Sequence, residues 1–145
     1  MKALSKIILV LFLSLSALFA GTVSSPPAIS AESQQAQVFY SYIKELYYAK
    51  KIDQVAKCWI STTRVPYQNL KGQAAIYELQ KLKTGYVYKP KINSQVMQGQ
   101  RCLMKGTAIA QDLGRTFPCT VDLVMIFEDG MWRIQYYTWS ATIQQ

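Results

Sequence analysis

The fold is decided by the stretch Thr116–Trp139, which reads TFPCTVDLVMIFEDGMWRIQYYTW. Within it, Asp129-Gly130 separates two runs in which apolar residues recur at alternate positions. An Asp-Gly pair in that setting predicts a two-residue hairpin turn, because both residues of such a turn adopt positive φ. We therefore expect two long antiparallel strands that meet at Glu128 and Met131.

The register of this hairpin follows from its turn. The expected cross-strand pairs are Phe127–Trp132, Met125–Ile134 and Leu123–Tyr136. The face that they share is entirely apolar or aromatic and comprises Cys119, Val121, Leu123, Met125, Phe127, Trp132, Ile134 and Tyr136. A slip of one residue would move the whole set to the other face, so the pattern specifies the register.

The N-terminus of the chain is typical of a secretory signal peptide. In residues 1–20, two lysines precede an apolar run that is shorter than the ~20 residues of a membrane-spanning helix, and cleavage is expected after Ala20. We therefore expect an exported protein, periplasmic or secreted, with an uncleaved anchor as the alternative. Residues 21–33 would form a flexible lead, residues 34–140 one domain, and residues 141–145 a tail.

Charge is modest once the signal peptide is removed. The remaining chain has 14 basic and eight acidic residues, a net charge of +6, and no block of five like charges. Such a charge suits weak contact with anionic membrane surfaces or acidic partners. The run Lys81, Lys83, Tyr86, Tyr88, Lys89 and Lys91 is the local basic cluster, and its simplest interpretation is a solvated helix end and a lysine-protected edge strand. Export disfavours nucleic acid as a partner.

Periodicity predicts three helices in the first half of the domain. Residues 34–50 carry an apolar stripe at helical spacing behind Ser33 as the N-cap, a short helix begins at Asp53, and a third helix spans residues 72–84. Residues 61–70 are expected to be irregular because Pro66 interrupts them.

The period changes to two in the second half. Residues 86–92 predict an edge strand interrupted by Pro90, residues 93–110 one long strand, and residues 116–139 the closing hairpin. Helices followed by a meander of strands are typical of the α+β class, with the helices packed on one face of an antiparallel sheet.

The element order carries a family resemblance. The step Tyr-Ala-Lys-Lys-Ile-Asp at residues 48–53, a third helix, and long strands ending in Glu-Asp-Gly-Met-Trp at residues 128–132 resemble the NTF2-like (cystatin-like) superfamily, in particular its small exported bacterial members. The resemblance implies a curved sheet wrapped around a long helix, which gives a cone with an apolar pocket. Members include isomerases, dehydratases, ligand carriers and assembly subunits, so the fold does not choose a function.

Residues 95–99 carry a second, shorter resemblance. Gln-Val-Met-Gln-Gly is similar to the hairpin loop of cystatin protease inhibitors, with Met97 in place of a valine, and Trp132 adds a faint likeness. The preceding helices are foreign to cystatins, so we interpret residues 95–99 as ordinary strand and keep protease inhibition as an alternative function.

The sequence favours a protein without catalytic activity over an enzyme. It contains no histidine, which excludes histidine-based triads and the commonest metal ligand, and we expect no metal or cofactor. No carboxylate shares the parity of the apolar face, and Arg101 and Lys105 lie on the opposite face from Cys102, so nothing would activate that thiol. An isomerase or hydratase that uses a tyrosine is the alternative. The residues expected to line the pocket are Tyr47, Trp59, Met104, Leu123, Met125, Trp132 and Tyr136.

The three cysteines allow at most one internal disulfide. With the turn before Thr116 placed near Gly114, Cys102 and Cys119 would lie roughly 16 Å apart along the strands at ~3.3 Å per residue, which is too far for a bridge. A bridge from Cys58 to one of them is therefore expected. The alternative is that all three are small buried apolar residues.

The outer face of the sheet is the expected place of function. It keeps large apolar side chains near its C-terminal end, whereas a solvated sheet face should be polar. We expect a homodimer or a protein partner there, through Leu103, Val124, Ile126, Arg133, Tyr137 and Trp139. The alternative is that residues 140–145 fold back over this patch. Overall, the sequence predicts a non-enzymatic binding or interaction module, such as an assembly subunit or a carrier of a small apolar ligand.

Overall fold

A computed structural model describes residues 32–142, so the predicted signal peptide and nearly all of the predicted lead lie outside the described residues. Four helices come first: α1 (Gln34–Tyr48), α2 (Asp53–Ala56), α3 (Ser61–Asn69) and α4 (Gly72–Thr84). Four strands follow: β1 (Val87–Gln98), β2 (Arg101–Asp112), β3 (Arg115–Glu128) and β4 (Met131–Ala141). They form one antiparallel sheet in the order β1-β2-β3-β4. The predicted α+β class is confirmed.

Helix α1 fills the concave face of the sheet. Ser33 is its N-cap, with a side chain that accepts a hydrogen bond from the Ala36 N–H at 3.2 Å, as the sequence predicts. The apolar stripe of α1 is buried against the inner faces of β2, β3 and β4. The largest fully buried side chains are Tyr42, Phe39, Leu46, Met104, Leu123, Met125 and Ile134. At about 1.5–3 kcal/mol for each buried apolar side chain, this layer dominates the gross stability of the domain.

The hairpin of β3 and β4 turns where the sequence predicts. Asp129 and Gly130 have φ of 53° and 77°, and Phe127 pairs with Trp132 and Met125 with Ile134. The third expected pair is wrong. Between Met125 and Val124 the register shifts by one residue, so Gln135 is unopposed and Leu123 pairs with Tyr137. This β-bulge exchanges the two faces of β4 beyond Gln135.

The bulge is stabilised by what Tyr137 reaches once it points inward. Its ring lies 5.2 Å from the ring of Phe39 and 6.1 Å from that of Tyr42. Its hydroxyl donates a 2.5 Å hydrogen bond to the carbonyl oxygen of Gly85. Trp139 follows the same parity and packs on Phe117 at 5.7 Å. A regular β4 would leave these contacts unmade, so tertiary packing selects the bulged register.

The predicted single strand over residues 93–110 is wrong, because it is divided by a hairpin. β1 ends at Gln98 and β2 begins at Arg101, and Gly99 supplies the positive φ of 61° that the turn requires. β1 is an edge strand, as predicted, and its register shifts between Tyr88 and Lys91. After this shift the backbones of β1 and β2 approach closely, because an added Cβ at Gly106 would clash with the Lys91 carbonyl.

Residues 61–69 are helical, although the sequence predicts an irregular segment over 61–70. The helix α3 contains Pro66 and buries none of its residues, so its own sequence does not account for it. Its first turn is held from elsewhere: the Glu128 carboxylate accepts hydrogen bonds from the Ser61 N–H at 2.9 Å and from the Ser61 hydroxyl at 2.6 Å. A carboxylate at a helix N-terminus satisfies unpaired N–H groups and complements the helix dipole.

The free edge of β4 is partly covered by the segment that precedes α3. Trp59 forms a parallel bridge with Ile134, through hydrogen bonds from Ile60 N–H to the Ile134 carbonyl at 3.0 Å and from Ile134 N–H to the Cys58 carbonyl at 2.8 Å. At the other end of β4, Ser140 and Ala141 continue the strand opposite Thr120 and Cys119. These two residues therefore do not fold back over the outer face.

Candidate functional site

The concave interior is filled by side chains. Of the seven residues expected to line a pocket, Met104, Leu123 and Met125 are fully buried, and Trp59 and Trp132 are buried beside them. The structure therefore brings five of the seven together, but as a packed core. The other two predictions are wrong in place: Tyr47 lies exposed on α1, and the bulge puts Tyr136 on the outer face, 51% exposed.

The buried tyrosines are poorly suited to acid or base catalysis. Burial raises the pKa of Tyr42 and of Tyr137 well above the ordinary value, so both hydroxyls stay protonated at neutral pH. The Tyr137 hydroxyl is also committed to the Gly85 carbonyl. Among residues 32–142, no three His, Cys, Asp or Glu side chains are grouped so as to hold a metal ion.

The expected disulfide does not form. All three cysteines lie within the described residues and are free. Cys102 pairs with Met125, six residues along β3 from Cys119, which separates the two by roughly 20 Å at ~3.3 Å per residue. Cys58 lies beyond Ile134 and β3, about three strand spacings or ~14 Å from Cys102. Burial and the neighbouring Glu45 raise the pKa of the Cys58 thiol to about 11, so it is a weak nucleophile.

The outer face of the sheet presents an apolar row across all four strands. Val96 of β1 pairs with Leu103 of β2, Leu103 with Val124 of β3, and Val124 with Tyr136 of β4. Val96 is 55% exposed, Leu103 and Val124 are half-buried, and no element from residues 32–142 packs over them. Ile126 extends the row at the next outward position. On the other side, Lys105 and Asp122 are directly opposed and form a 3.7 Å ion pair.

Three of the six residues expected at an interface are on this outer face: Leu103, Val124 and Ile126. Tyr137 and Trp139 are not, because the bulge turns both inward. Arg133 is only 8% exposed. It donates to the Lys57 carbonyl and lies 3.6 Å from the Glu128 carboxylate. Sequence reasoning missed Val96 and Tyr136, and the parity of Val96 would have been visible once Gly99 was recognised as a turn.

Two hairpin tips meet at one end of the sheet. The Phe127 N–H donates a 2.8 Å hydrogen bond to the Gln100 carbonyl, which joins the β1–β2 turn to the β3–β4 turn. Residues 95–98 are strand, as predicted, and Gly99 opens the turn. Met97 is exposed at this end, whereas Trp132 is only 9% exposed. The tips therefore form a compact wedge in which the tryptophan does not protrude.

Comparison with known proteins defines the fold. A scan of protein-family models finds no match, and a search of curated proteins finds none. Among solved structures, the chain is similar to a five-fold substituted variant of a protein named Rd1NTF2_05, with 15% identity, a TM-score of 0.52, and coverage of 72% of this chain and 95% of that one. It is also similar to an NTF-2 like protein of unknown function from Shewanella oneidensis MR-1, with 16% identity, a TM-score of 0.50, and coverage of 72% and 94%. The predicted NTF2-like fold is confirmed.

Proposed function

We propose that this chain is a non-enzymatic interaction module that binds a second copy of itself through the outer face of its sheet. The observation that supports this most is the row Val96, Leu103, Val124 and Tyr136, which crosses every strand and is left uncovered by residues 32–142. Isolated apolar residues are common on protein surfaces, but a contiguous row is typical of an interaction site.

The size of the face supports a stable contact. Four strands at ~4.8 Å spacing and about twelve residues at ~3.3 Å each span an area of about 750 Å². A standard interface buries about 800 Å² on each partner, so one sheet packed on another would suffice. The core around Met104, Leu123 and Met125 is packed, so a small ligand would have to use a cleft such as that of about 360 Å³ beside Tyr42 and Tyr137.

The charges of the outer face are compatible with a second copy. The residues 32–142 carry an excess of basic side chains, which makes copies repel one another over most of their surface. On the outer face, Lys105 and Asp122 neutralise each other, which lowers this repulsion locally.

The test is the oligomeric state of a charged variant and of its matched control. Val124→Lys places a charge in the row, whereas Gln80→Lys places one on the exposed surface of α4, outside the sheet. Sedimentation over a wide concentration range should show a dimer for the wild type and for Gln80→Lys, and a monomer for Val124→Lys. Circular dichroism melting confirms that both variants are folded.

Two outcomes would remove the proposal. One is a wild type that stays monomeric at the highest concentration, and the other is equal dissociation of the two lysine variants. Export remains part of the proposal, on the basis of residues 1–20. A mature N-terminus at Gly21 in the exported fraction is the expected result, and an intact Met1 there would favour the uncleaved anchor.

Protease inhibition is the second candidate, favoured by the single observation that the two hairpin tips are joined through Gln100 and Phe127. The burial of Trp132 argues against it, because an inhibitor wedge needs its aromatic side chain to protrude. Titration of a papain-type cysteine protease with the wild type and with Met97→Asp would decide. Absence of inhibition by the wild type would exclude this function and leave the self-association untouched.

A further inference from the structure

A chain of tyrosine rings lies where the end of α1 meets the start of β1. The ring centroids are 4.9 Å apart for Tyr47–Tyr48, 5.2 Å for Tyr47–Tyr86 and 4.8 Å for Tyr86–Tyr88. Tyr47 and Tyr48 project from the last turn of α1, which breaks the apolar stripe of that helix. They are 53% and 68% exposed and form the open side of the cluster, whereas Tyr86 packs against the core.

Lysines from the same elements border these rings. Together with Tyr40, the four tyrosines line a shallow cleft of about 480 Å³, and Lys44 of α1 and Lys89 of β1 complete it. The Lys83 ammonium, at the end of α4, lies 3.4 Å from the Tyr47 carbonyl. The cleft lining contains no Asp or Glu. The end of α1 and the junction of α4 with β1, which are distant in sequence, therefore converge to make one aromatic and basic surface.

The backbone of β1 is strained where it borders this cleft. Lys89 has a φ of 48°, a conformation that costs a side chain other than glycine on the order of 1 kcal/mol. The register of β1 shifts at the same place, and Pro90 follows. The Tyr88 hydroxyl is held by a 2.6 Å hydrogen bond to the Gln111 side chain. Bulges that re-aim side chains and strained residues that persist are both concentrated at functional sites.

The edge-protection interpretation of this basic run explains only part of the arrangement. Lysine and proline on an edge strand do discourage pairing with another strand. Protection of the edge strand does not require Tyr47 and Tyr48, which belong to a helix. It does not require a row of solvent-exposed tyrosine rings either. A contiguous exposed cluster of large side chains is typical of an interaction site.

We propose that this tyrosine–lysine surface docks the protein on a bilayer that contains anionic lipids. Tyrosine rings are amphipathic and are enriched at the level of lipid headgroups, where the ring contacts the acyl boundary and the hydroxyl contacts water or phosphate. Lysines near an anionic surface add attraction. A cationic ligand is disfavoured, because Lys44 and Lys89 border the same rings. The cleft is shallow, which suits a surface better than a small molecule that must be largely enclosed.

Vesicle co-sedimentation of the full chain tests this surface. The probes are vesicles of equal parts phosphatidylglycerol and phosphatidylcholine, compared with vesicles of phosphatidylcholine alone. Residues 1–20 carry two lysines and an apolar run, so they contribute to binding of both vesicle types and more to that of the anionic one, and the differences between variants are the informative ones. The cleft variant combines Lys44→Gln with Lys89→Gln, and the control removes two other exposed charges with Lys71→Gln and Arg101→Gln. A third variant, Tyr47→Ser with Tyr48→Ser, keeps the charge and removes the rings.

We expect tighter binding to the anionic vesicles, weakened about fivefold for each lysine removed in the cleft variant. The control should change by no more than about twofold, and the tyrosine variant should also lose affinity. Equal binding to both vesicle types, or an equal loss in the control, would overturn the proposal. The self-association assay is independent of this one, because the outer row and the cleft share no residue. Unchanged circular dichroism melting shows that a loss is not caused by unfolding.

Discussion

Alanine substitution of two adjacent tyrosines tests the bulge in β4. Tyr137 packs against Phe39 and Tyr42, and its hydroxyl is bonded to the Gly85 carbonyl, whereas Tyr136 is 51% exposed on the outer face. A buried aromatic ring replaced by alanine costs about 3–5 kcal/mol, and for the half-buried Tyr137 we expect about 3 kcal/mol. Tyr136→Ala should cost less than about 1 kcal/mol, the usual range for an exposed cross-strand pair.

The assay is thermal unfolding followed by circular dichroism, at a concentration at which the monomer dominates. Each kcal/mol lowers the Tm of a domain of this size by roughly 4 °C, so Tyr137→Ala should lose about 10 °C or more. Tyr137→Phe separates the ring from the hydroxyl and should cost about 1 kcal/mol, the usual contribution of one hydrogen bond. If Tyr136→Ala proved the more damaging substitution, β4 would have to follow a simple alternation, and the bulge would be refuted.

Two further predictions concern the hydrogen bonds between Glu128 and the first turn of α3, and the close approach of β1 and β2. The hydrogen bonds from Ser61, with Arg64 and Arg133 nearby, lower the pKa of Glu128 below its ordinary value of 4.5. The ionised carboxylate therefore stabilises the fold above pH 4.5, and this contribution is lost as the pH falls through the lowered pKa. Glu128→Gln should therefore lower the Tm near neutral pH and make no difference in strong acid; an equal loss at both would contradict this. Gly106→Ala should cost about 1–3 kcal/mol, because its Cβ meets the Lys91 carbonyl, whereas Thr107→Ala next to it should be nearly neutral.

The parts of the fold that depend on local pattern could be predicted from the sequence. Ser33 and Gly85 bound helices at the places where they lie in the structure, since capping is decided by residues within one turn. The Asp129-Gly130 turn and the first two pairs of its hairpin follow from turn chemistry and alternation. The hairpin at Gly99 was missed, although a strand of eighteen residues is far longer than the usual 3–10 and already argues for a break.

The parts that depend on distant contacts could not be predicted. The first turn of α3 is stabilised by Glu128, which is 67 residues away from Ser61 in sequence. No local pattern around Pro66 predicts this helix. The bulge at Gln135 depends on the position of Phe39 and Gly85, and a regular strand satisfies the alternation equally well. For this reason the inner and outer roles of Tyr136 and Tyr137 were exchanged in the sequence prediction. The tyrosine cleft likewise needs the register of β1 against α1, which no single stretch of sequence specifies.

The bridge between Trp59 and Ile134 makes the two edges of the sheet unequal. Lysines and a proline disfavour the pairing of a second copy with the β1 edge, whereas at the β4 edge a second copy would have to displace the segment Cys58–Ile60. In head-to-tail polymerisation, each added copy pairs its β1 edge with the β4 edge of the copy before it. The bridge occupies the β4 edge around Ile134, so strand addition there is obstructed at that position. The sheet is thereby less open to head-to-tail fibre growth than one with two free edges.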